Sequence, residues 1–71
     1  MMEVLLSRQP VELFKLLKFE GLVGSGGEAK FAIAEGHVKV NGEVETRKRK
    51  KIVAGDVVEF NGEELHIALE E

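Results

Sequence analysis

The chain has no cysteine, no tryptophan and no tyrosine, and it contains a single proline among 71 residues. Without cysteine there can be no disulfide, no thiolate catalysis and no sulfur-ligated metal, and a reducing environment is the natural expectation. No apolar run approaches the roughly 18 residues that span a bilayer, and the N-terminal residues lack the features of a signal peptide. We therefore expect a cytoplasmic protein with no membrane partner.

Few residues could carry catalysis or bind a metal. The two histidines, His37 and His66, fall in different predicted strands without carboxylates at a ligand spacing, whereas a zinc site draws on three or four ligands. The two serines, Ser7 and Ser25, have no base that the sequence places to activate them. The sequence therefore predicts no catalytic residue, no metal site and no cofactor, and we do not expect an enzyme.

Positive charge is present but unevenly distributed. The formal net charge is −3, yet residues 30–51 contain seven Lys or Arg against three Glu, a local charge of +4 that leaves −7 for the remainder. Five of the cations are consecutive, from Arg47 to Lys51. A compact basic block on an acidic domain is typical of a phosphate-binding surface, because clustered cations release counterions from nucleic acid. The alternative is a solvated loop that maintains solubility, and charge alone does not separate the two interpretations.

Apolar spacing predicts two short helices in the first half of the chain. The first runs from about Pro10 to Phe19, with Pro10 in the first turn, where its missing N–H is no loss. The second begins after Ser25, which forms an S-x-x-E capping box with Glu28, and it ends at Gly36 as a left-handed cap. The inward face of the second helix is expected to comprise Ala29, Ala32 and Ile33.

After the second helix the apolar pattern changes to a period of two. Asn41–Gly42 is a type I′ turn signal between alternating segments, so a hairpin is predicted with Val38, Val40 and Val44 toward the helices and Lys39 toward solvent. Strands are also predicted at about residues 57–60 and 65–69, and residues 4–6 form a candidate edge strand. The predicted fold is α+β, with two short helices, a β-hairpin and a small, mainly antiparallel sheet in one domain spanning residues 1–71.

The position of one cation favours a binding role. Lys30 falls in the first turn of the predicted second helix, where a cation opposes the helix dipole at a cost of about 0.3–1 kcal/mol. Ligand binding would explain this placement, although a lysine can also extend harmlessly into solvent. The four phenylalanines are mostly predicted on apolar faces, which argues against base stacking and favours recognition of the backbone of folded RNA. These residues are Phe14, Phe19, Phe31 and Phe60.

Several segments resemble the S4-type RNA-binding domain. They are Ser-Gly-Gly-Glu-Ala-Lys at residues 25–30, followed by Ile33, then Glu-Gly-His-Val-Lys-Val-Asn-Gly at 35–42 and Gly-Asp-Val-Val at 55–58. In that family two helices and a hairpin form an L-shaped αL motif, and the resemblance covers residues 13–56. Residues 18–21 and 45–49 are similar to the small stand-alone bacterial members of the YbcJ type. This chain departs from the broad family at Gly26, where an Arg is frequent, and at residues 12–14, where Arg-Leu-Asp is frequent.

The resemblance implies a non-catalytic, monomeric protein that binds structured RNA, with ribosomal RNA or the ribosome as an expected partner. Lys50 is excluded from the expected contacts because neighbours in an extended segment alternate faces. Lys51 is included on charge alone. The residues that the family match implies as RNA-facing are Lys18, Lys30, Lys39, Arg47, Lys48 and Arg49.

Two other function classes remain open. A β-grasp-like carrier is suggested by Val-Asn-Gly-Glu at residues 40–43 and Gly-Asp-Val-Val-Glu at 55–59, but residues 68–71 lack the Gly-Gly at which such carriers are activated. A protein-interaction module could use the basic block to dock an acidic partner. Competition by RNA would distinguish this module from an RNA-binding protein.

Overall fold

A computed structural model describes residues 2–70. The predicted α+β fold, with two short helices, a hairpin and a mainly antiparallel sheet, is confirmed. Neither helix in the described part is long and apolar enough to cross a membrane. The elements are β1 (Met2–Leu6), β2 (Val11–Glu12), α1 (Leu13–Phe19), α2 (Gly26–Ala34), β3 (Val38–Val40), β4 (Glu43–Val44), β5 (Lys51–Ile52), β6 (Val57–Phe60) and β7 (Glu63–Leu69).

The strands form one sheet of five and a separate pair. The order in the larger sheet is β1-β7-β6-β3-β4, and only β1, which runs parallel to β7, departs from antiparallel pairing. The expected N-terminal edge strand is therefore confirmed. Strands β2 and β5 pair with each other outside this sheet, antiparallel, which places Glu12 opposite Lys51.

The start of α1 differs from the prediction. The helix begins at Leu13, whereas the apolar spacing predicted a start at about Pro10. The two residues before Leu13 are extended because they pair with β5, and that pairing joins segments about 40 positions apart in the chain. The predicted boundary was wrong because a tertiary pairing, which local spacing does not reveal, decides the conformation of β2.

The ends of α2 agree with the prediction. Ser25 is the N-cap, and its Oγ accepts a hydrogen bond from the Glu28 N–H at 3.2 Å. The Glu28 carboxylate reaches back one residue further than in the usual capping box and accepts from the Gly24 N–H at 2.9 Å. Gly36 adopts a φ of +79°, the left-handed conformation expected after a helix C-terminus. Local chemistry therefore fixes both ends of α2.

The hairpin forms as predicted except for the direction of one side chain. Asn41–Gly42 has φ values of +53° and +85°, as a type I′ turn requires. This turn pairs Val40 with Glu43 and Lys39 with Val44. Directly opposed residues share one face of a sheet, so Val44 lies on the solvent side with Lys39 and is 56% exposed. The prediction that Val44 faces the helices was wrong.

The core lies between the two helices and one face of the five-stranded sheet. As predicted, Ala29, Ala32 and Ile33 form the buried face of α2, where the two small residues allow close packing. The other sheet face carries Lys39, Glu59 and Glu64, and no helix covers it within residues 2–70. The largest fully buried side chains are Leu13, Leu16, Leu17, Ile33, Val38, Ile52, Val58 and Leu65.

Candidate nucleic-acid interface

Residues 47–51, the basic segment, are held against the start of α1 by backbone hydrogen bonds. The N–H groups of Leu13 and Phe14 donate to the carbonyls of Lys50 at 2.9 Å and Lys48 at 3.0 Å. Amides in the first turn of a helix have no acceptor within that helix, so the Lys48 and Lys50 carbonyls supply hydrogen-bond acceptors that α1 itself lacks. Because the attachment uses backbone atoms, the cationic side chains are not needed for it. All of them are exposed except Lys50, which is half-buried.

Three of the protein's cations converge on the ring of Phe14. Lys30 Nζ lies 4.7 Å from the ring centroid, Arg49 Cζ lies 5.4 Å from it, and Lys15 Nζ lies 5.9 Å from it. An aromatic face attracts a cation within about 6 Å, by roughly 0.5–1 kcal/mol at exposed sites. The Phe14 residue as a whole is only 9% exposed. It is therefore a fixed platform on which α1, α2 and the basic segment each place one positive charge.

We call Phe14, Lys15, Lys30 and Arg49 the Phe14 cluster. The Phe14 ring also lies beside the start of α2, because a Cβ atom at position 26, where the chain has glycine, would be 4.0 Å from the Phe14 Cδ2 atom. The cluster therefore sits where α1, α2 and the basic segment meet. Cations contributed by three separate segments keep their spacing as long as the fold is intact, which is what recognition of a particular phosphate arrangement requires.

Glu12 is the acidic neighbour of the Phe14 cluster. Its Oε1 lies 3.2 Å from Lys15 Nζ, and its Oε2 lies 3.4 Å from Arg49 Nη1. Hydrogen bonds from Lys15 and, to a smaller extent, from Arg49 lower the pKa of Glu12 below its usual range. Lys30, by contrast, forms no ion pair with any of residues 2–70. Glu12 thus compensates only part of the charge of the cluster.

Arg47 is engaged differently, by a carboxylate of its own. Its Nε and Nη2 atoms donate to the two carboxylate oxygens of Glu45 at 2.9 Å and 3.1 Å, and its backbone N–H donates to Glu45 Oε2 at 3.0 Å. The side-chain hydrogen bond from Arg47 is the main cause that lowers the pKa of Glu45 to about 2. Two-point arginine–carboxylate pairs of this kind are among the stronger polar contacts in proteins. Arg47 is therefore already occupied in the free protein.

The Glu45–Arg47 pair makes a prediction about pH. Because the folded pKa of Glu45 is lowered, its contribution to stability is fully present above its ordinary pKa and is lost as the pH falls toward 2. The Arg47 side chain is largely exposed, so solvent screens the pair and we expect at most about 1 kcal/mol at neutral pH. Urea unfolding of the wild type and of Glu45→Gln should show a stability difference at neutral pH that narrows below about pH 4.

The matched control for this prediction is Glu43→Gln, which removes a carboxylate two residues before Glu45, in β4. Glu43 forms no ion pair within residues 2–70. We therefore expect its substitution to change the free energy of unfolding little at any pH. A Glu45→Gln difference that stays constant as the pH falls would show that ionisation of Glu45 does not support the fold.

The other cations predicted at the site are spread around the Phe14 cluster. Lys18 is exposed on α1, one turn beyond Phe14 and Lys15, so it extends the positive charge along the helix. Lys51 lies opposite Glu12 in the β2–β5 pair and therefore borders the cluster. Lys48 is exposed in the turn of the basic segment. These three residues and the cluster form a basic surface around the start of α1.

Lys39 is not brought together with this surface. It lies on the sheet face that points away from the helices, directly opposite Glu59 on β6 and Val44 on β4. Of the residues predicted at the site, the structure therefore unites Lys30 and Arg49 in one cluster and places Lys39 on another side of the molecule.

Sequence reasoning missed two members of the Phe14 cluster and misplaced two other aromatics. The predicted site contains neither Lys15 nor Phe14, although the Glu12–Lys15 spacing of three is a helix-pair signal that the sequence does contain. Phe19 and Phe31 are 67% and 66% exposed, so the prediction that the phenylalanines lie on apolar faces was wrong for both. The buried stripes of these short helices are narrow and leave positions 19 and 31 outside.

The histidines and serines show no arrangement for chemistry in the part of the chain that the structure describes. No three of the His, Asp and Glu side chains between positions 2 and 70 are grouped so that they could hold a metal ion. His66 Nε2 lies 2.6 Å from Glu64 Oε1 along the same strand, a half-buried pair two residues apart. The Ser25 hydroxyl caps α2.

The fold and this interface place the chain in a known class. The family model described as "S4 domain" matches residues 4–68, and the chain belongs to this family. This assignment favours the S4 interpretation over the β-grasp alternative.

Two curated relatives and one solved structure are similar to it. It is 61% identical over 57 residues, covering 80% of this chain and 81% of the relative, to an Escherichia coli (strain K12) protein named "Putative RNA-binding protein YbcJ". It is 40% identical over 52 residues, covering 73% of each chain, to "Probable ribosome maturation protein RlbA" of Bacillus subtilis (strain 168). The solution structure of E. coli YbcJ, described as revealing an αL motif involved in RNA binding, matches with a TM-score of 0.73 and 55% identity over 96% of this chain and 87% of that chain.

Proposed function

We propose that this protein binds structured RNA through the basic surface around the start of α1 and catalyses no reaction itself. The observation that carries the proposal is the convergence of Lys15, Lys30 and Arg49 on the Phe14 ring. Three cations that meet at one ring, on a chain with a net charge of −3, make a local phosphate-binding surface. The acidic remainder of the chain disfavours non-specific binding to polyanions. The name of the YbcJ relative, which refers to RNA binding, supports the same function.

Ribosomal RNA is the proposed target. The support is the name of the Bacillus subtilis relative, which refers to ribosome maturation. We propose that the chain acts as a monomer in the cytoplasm and that residues 1–71 form a single S4-like domain with residues 13–56 as its central motif. Within this proposal Lys30 and Arg49 make the principal phosphate contacts, and Lys18, Lys48 and Lys51 extend them. Arg47 and Lys39 contribute less, because Glu45 occupies the first and the second lies on another face.

Fluorescence anisotropy with a labelled RNA stem-loop and a DNA duplex of equal length tests the proposal. We expect tighter binding to the RNA and a steep loss of affinity between about 50 and 200 mM salt. If the three cluster cations each neutralise one phosphate, that loss is on the order of 40-fold. No binding to either nucleic acid at low salt would contradict the proposed function.

Matched single substitutions show whether the Phe14 cluster is responsible. Lys30→Ala and Lys39→Ala each remove one cation, but Lys39 lies on the sheet face that points away from the helices. Lys30→Ala should weaken RNA binding and reduce the salt slope by about 1, whereas Lys39→Ala should change both less. Equal effects of both variants would show that only net charge matters.

A further inference from the structure

We infer that the Glu12 carboxylate occupies the position of one RNA phosphate in the free protein, between Lys15 and Arg49, and that the phosphate displaces it on binding. This inference rests on the proposed function and specifies one phosphate subsite within the basic surface. The subsite includes Lys15, which the sequence did not predict as a contact.

The contacts that Glu12 makes with Lys15 and Arg49 are contacts that a phosphate could make at the same position. Each of its two carboxylate oxygens faces one cation, at 3.2 Å from Lys15 and 3.4 Å from Arg49. A phosphate also presents several acceptor oxygens at once, so it can engage the same two donors. Lys30, which shares the Phe14 ring with both cations and forms no ion pair within residues 2–70, supplies further positive charge that Glu12 leaves uncompensated.

The distances distinguish Glu12 from the other paired carboxylate. Charge-assisted N–H···O bonds are typically about 2.7–2.9 Å long, so the contacts of Glu12 are long. The Glu45–Arg47 pair, by comparison, has contacts of 2.9 Å and 3.1 Å from one guanidinium and a third from a backbone N–H. Glu12 is therefore the carboxylate that an RNA phosphate can replace more readily.

Within residues 2–70 the Glu12 carboxylate has no ion pair or hydrogen bond besides those with Lys15 and Arg49. Glu12 is the N-cap residue of α1, but its side chain makes no capping hydrogen bond. The first two helical amides donate to the Lys50 and Lys48 carbonyls instead. The backbone of Glu12 is fixed by pairing with β5, so its side chain can rotate away without disturbing the helix.

The consequence is that the wild-type protein binds RNA less tightly than its cations alone would allow. A phosphate must compete with Glu12 for Lys15 and Arg49, so the loss of the Glu12 contacts offsets part of the attraction that these two cations exert on the phosphate. Replacement of Glu12 by glutamine keeps the shape of the side chain and removes its charge. Glu12→Gln should therefore strengthen RNA binding. If Glu12 instead positioned the cations for RNA, the same substitution would weaken RNA binding.

The test compares RNA binding by the wild type, Glu12→Gln and Glu3→Gln, using the same labelled RNA stem-loop over the same salt range. We expect Glu12→Gln to bind about two- to fivefold more tightly at low salt, because an exposed ion pair makes only a modest contribution to the free energy. Its salt slope should be steeper by about 1. Glu3→Gln makes the same charge change on β1, away from the helices, and should bind like the wild type.

A second readout uses the wild-type protein. The pKa of Glu12, followed by NMR, should rise toward its ordinary value when RNA is bound, because the phosphate takes its cations. Unchanged or weaker RNA binding by Glu12→Gln, an equal gain in Glu3→Gln, or an unmoved Glu12 pKa in a complex that does form would overturn this inference and leave the proposed function standing. If neither the wild type nor Glu12→Gln bound RNA, the proposed function would fail and the inference with it.

Discussion

Replacing Ile33 with aspartate is expected to unfold this protein. Ile33 is 0% exposed in the middle of the inward face of α2. No polar or charged side chain is buried in the described residues, so the new carboxylate would have no partner in the core. Burying an unpaired charge costs more than about 4–5 kcal/mol. A chain of 71 residues is typically stable by only about 4–10 kcal/mol in total, so a loss of this size removes most or all of the folded population.

Circular dichroism and thermal unfolding measure this effect, and Ala34→Asp is the matched control. Ala34 is the next residue of the same helix and is exposed, so the same side chain there stays in water. Its cost should be limited to the lower helix propensity of aspartate, up to about 0.7 kcal/mol, and an unfavourable interaction with the C-terminal end of the helix, about 0.3–1 kcal/mol. A cooperative unfolding transition of Ile33→Asp near that of the wild type would show that α2 packs through a different face.

The parts of the fold that the sequence predicts correctly are those fixed by local chemistry. The ends of α2 depend on a cap at Ser25 and a left-handed residue at Gly36, both of which act within one turn of the helix. The β3–β4 hairpin depends on Asn41–Gly42, whose backbone conformation is a property of those two residues. No tertiary information is needed for either feature, so both are readable from the sequence.

The errors in the predicted fold have two different origins. The start of α1 could not be predicted locally, because β2 is extended only through its pairing with β5. The direction of Val44 could have been predicted. A two-residue turn at positions 41 and 42 makes 39 and 44 partners, so Val44 must share the face of Lys39. The prediction followed the hydrophobicity of Val44, whereas the register that the turn imposes decides the direction of its side chain.

The candidate site was predictable in its charge and not in its geometry. The run from Arg47 to Lys51 is visible in the sequence. The prediction that Lys30 lies in the first turn of α2 was wrong, because the helix begins at Gly26 and Lys30 is its fifth residue, beyond the turn where a cation opposes the helix dipole. The basic segment and Lys30 meet at Phe14, a residue that apolar spacing assigns only to the core. The contact between Arg49 and Glu12 joins residues 37 positions apart, so only the folded chain shows that a carboxylate lies beside the basic segment.

Reversing the charge of Arg47, Lys48 and Arg49 to glutamate should abolish RNA binding without unfolding the protein. Each reversal removes an attraction to phosphate and adds a repulsion, so we expect an affinity loss greater than about 100-fold at low salt. The fold should persist because exposed charges contribute little to stability. The contact with α1 also uses the Lys48 and Lys50 carbonyls, which the substitutions leave in place. Anisotropy titration and a thermal unfolding curve of the same sample measure both expectations.

The single reversals separate the contributions of the triple variant. Arg49→Glu should account for most of the loss, because Arg49 belongs to the Phe14 cluster and its reversal places a second carboxylate beside Glu12. Arg47→Glu should cost less, since Glu45 already neutralises Arg47 in the free protein. Lys39→Glu reverses a cation on the other sheet face and should have a smaller effect. A folded triple variant that binds RNA as tightly as the wild type would contradict binding through the basic surface. Equal losses for Lys39→Glu and Arg49→Glu would show that only the net charge of the protein affects binding.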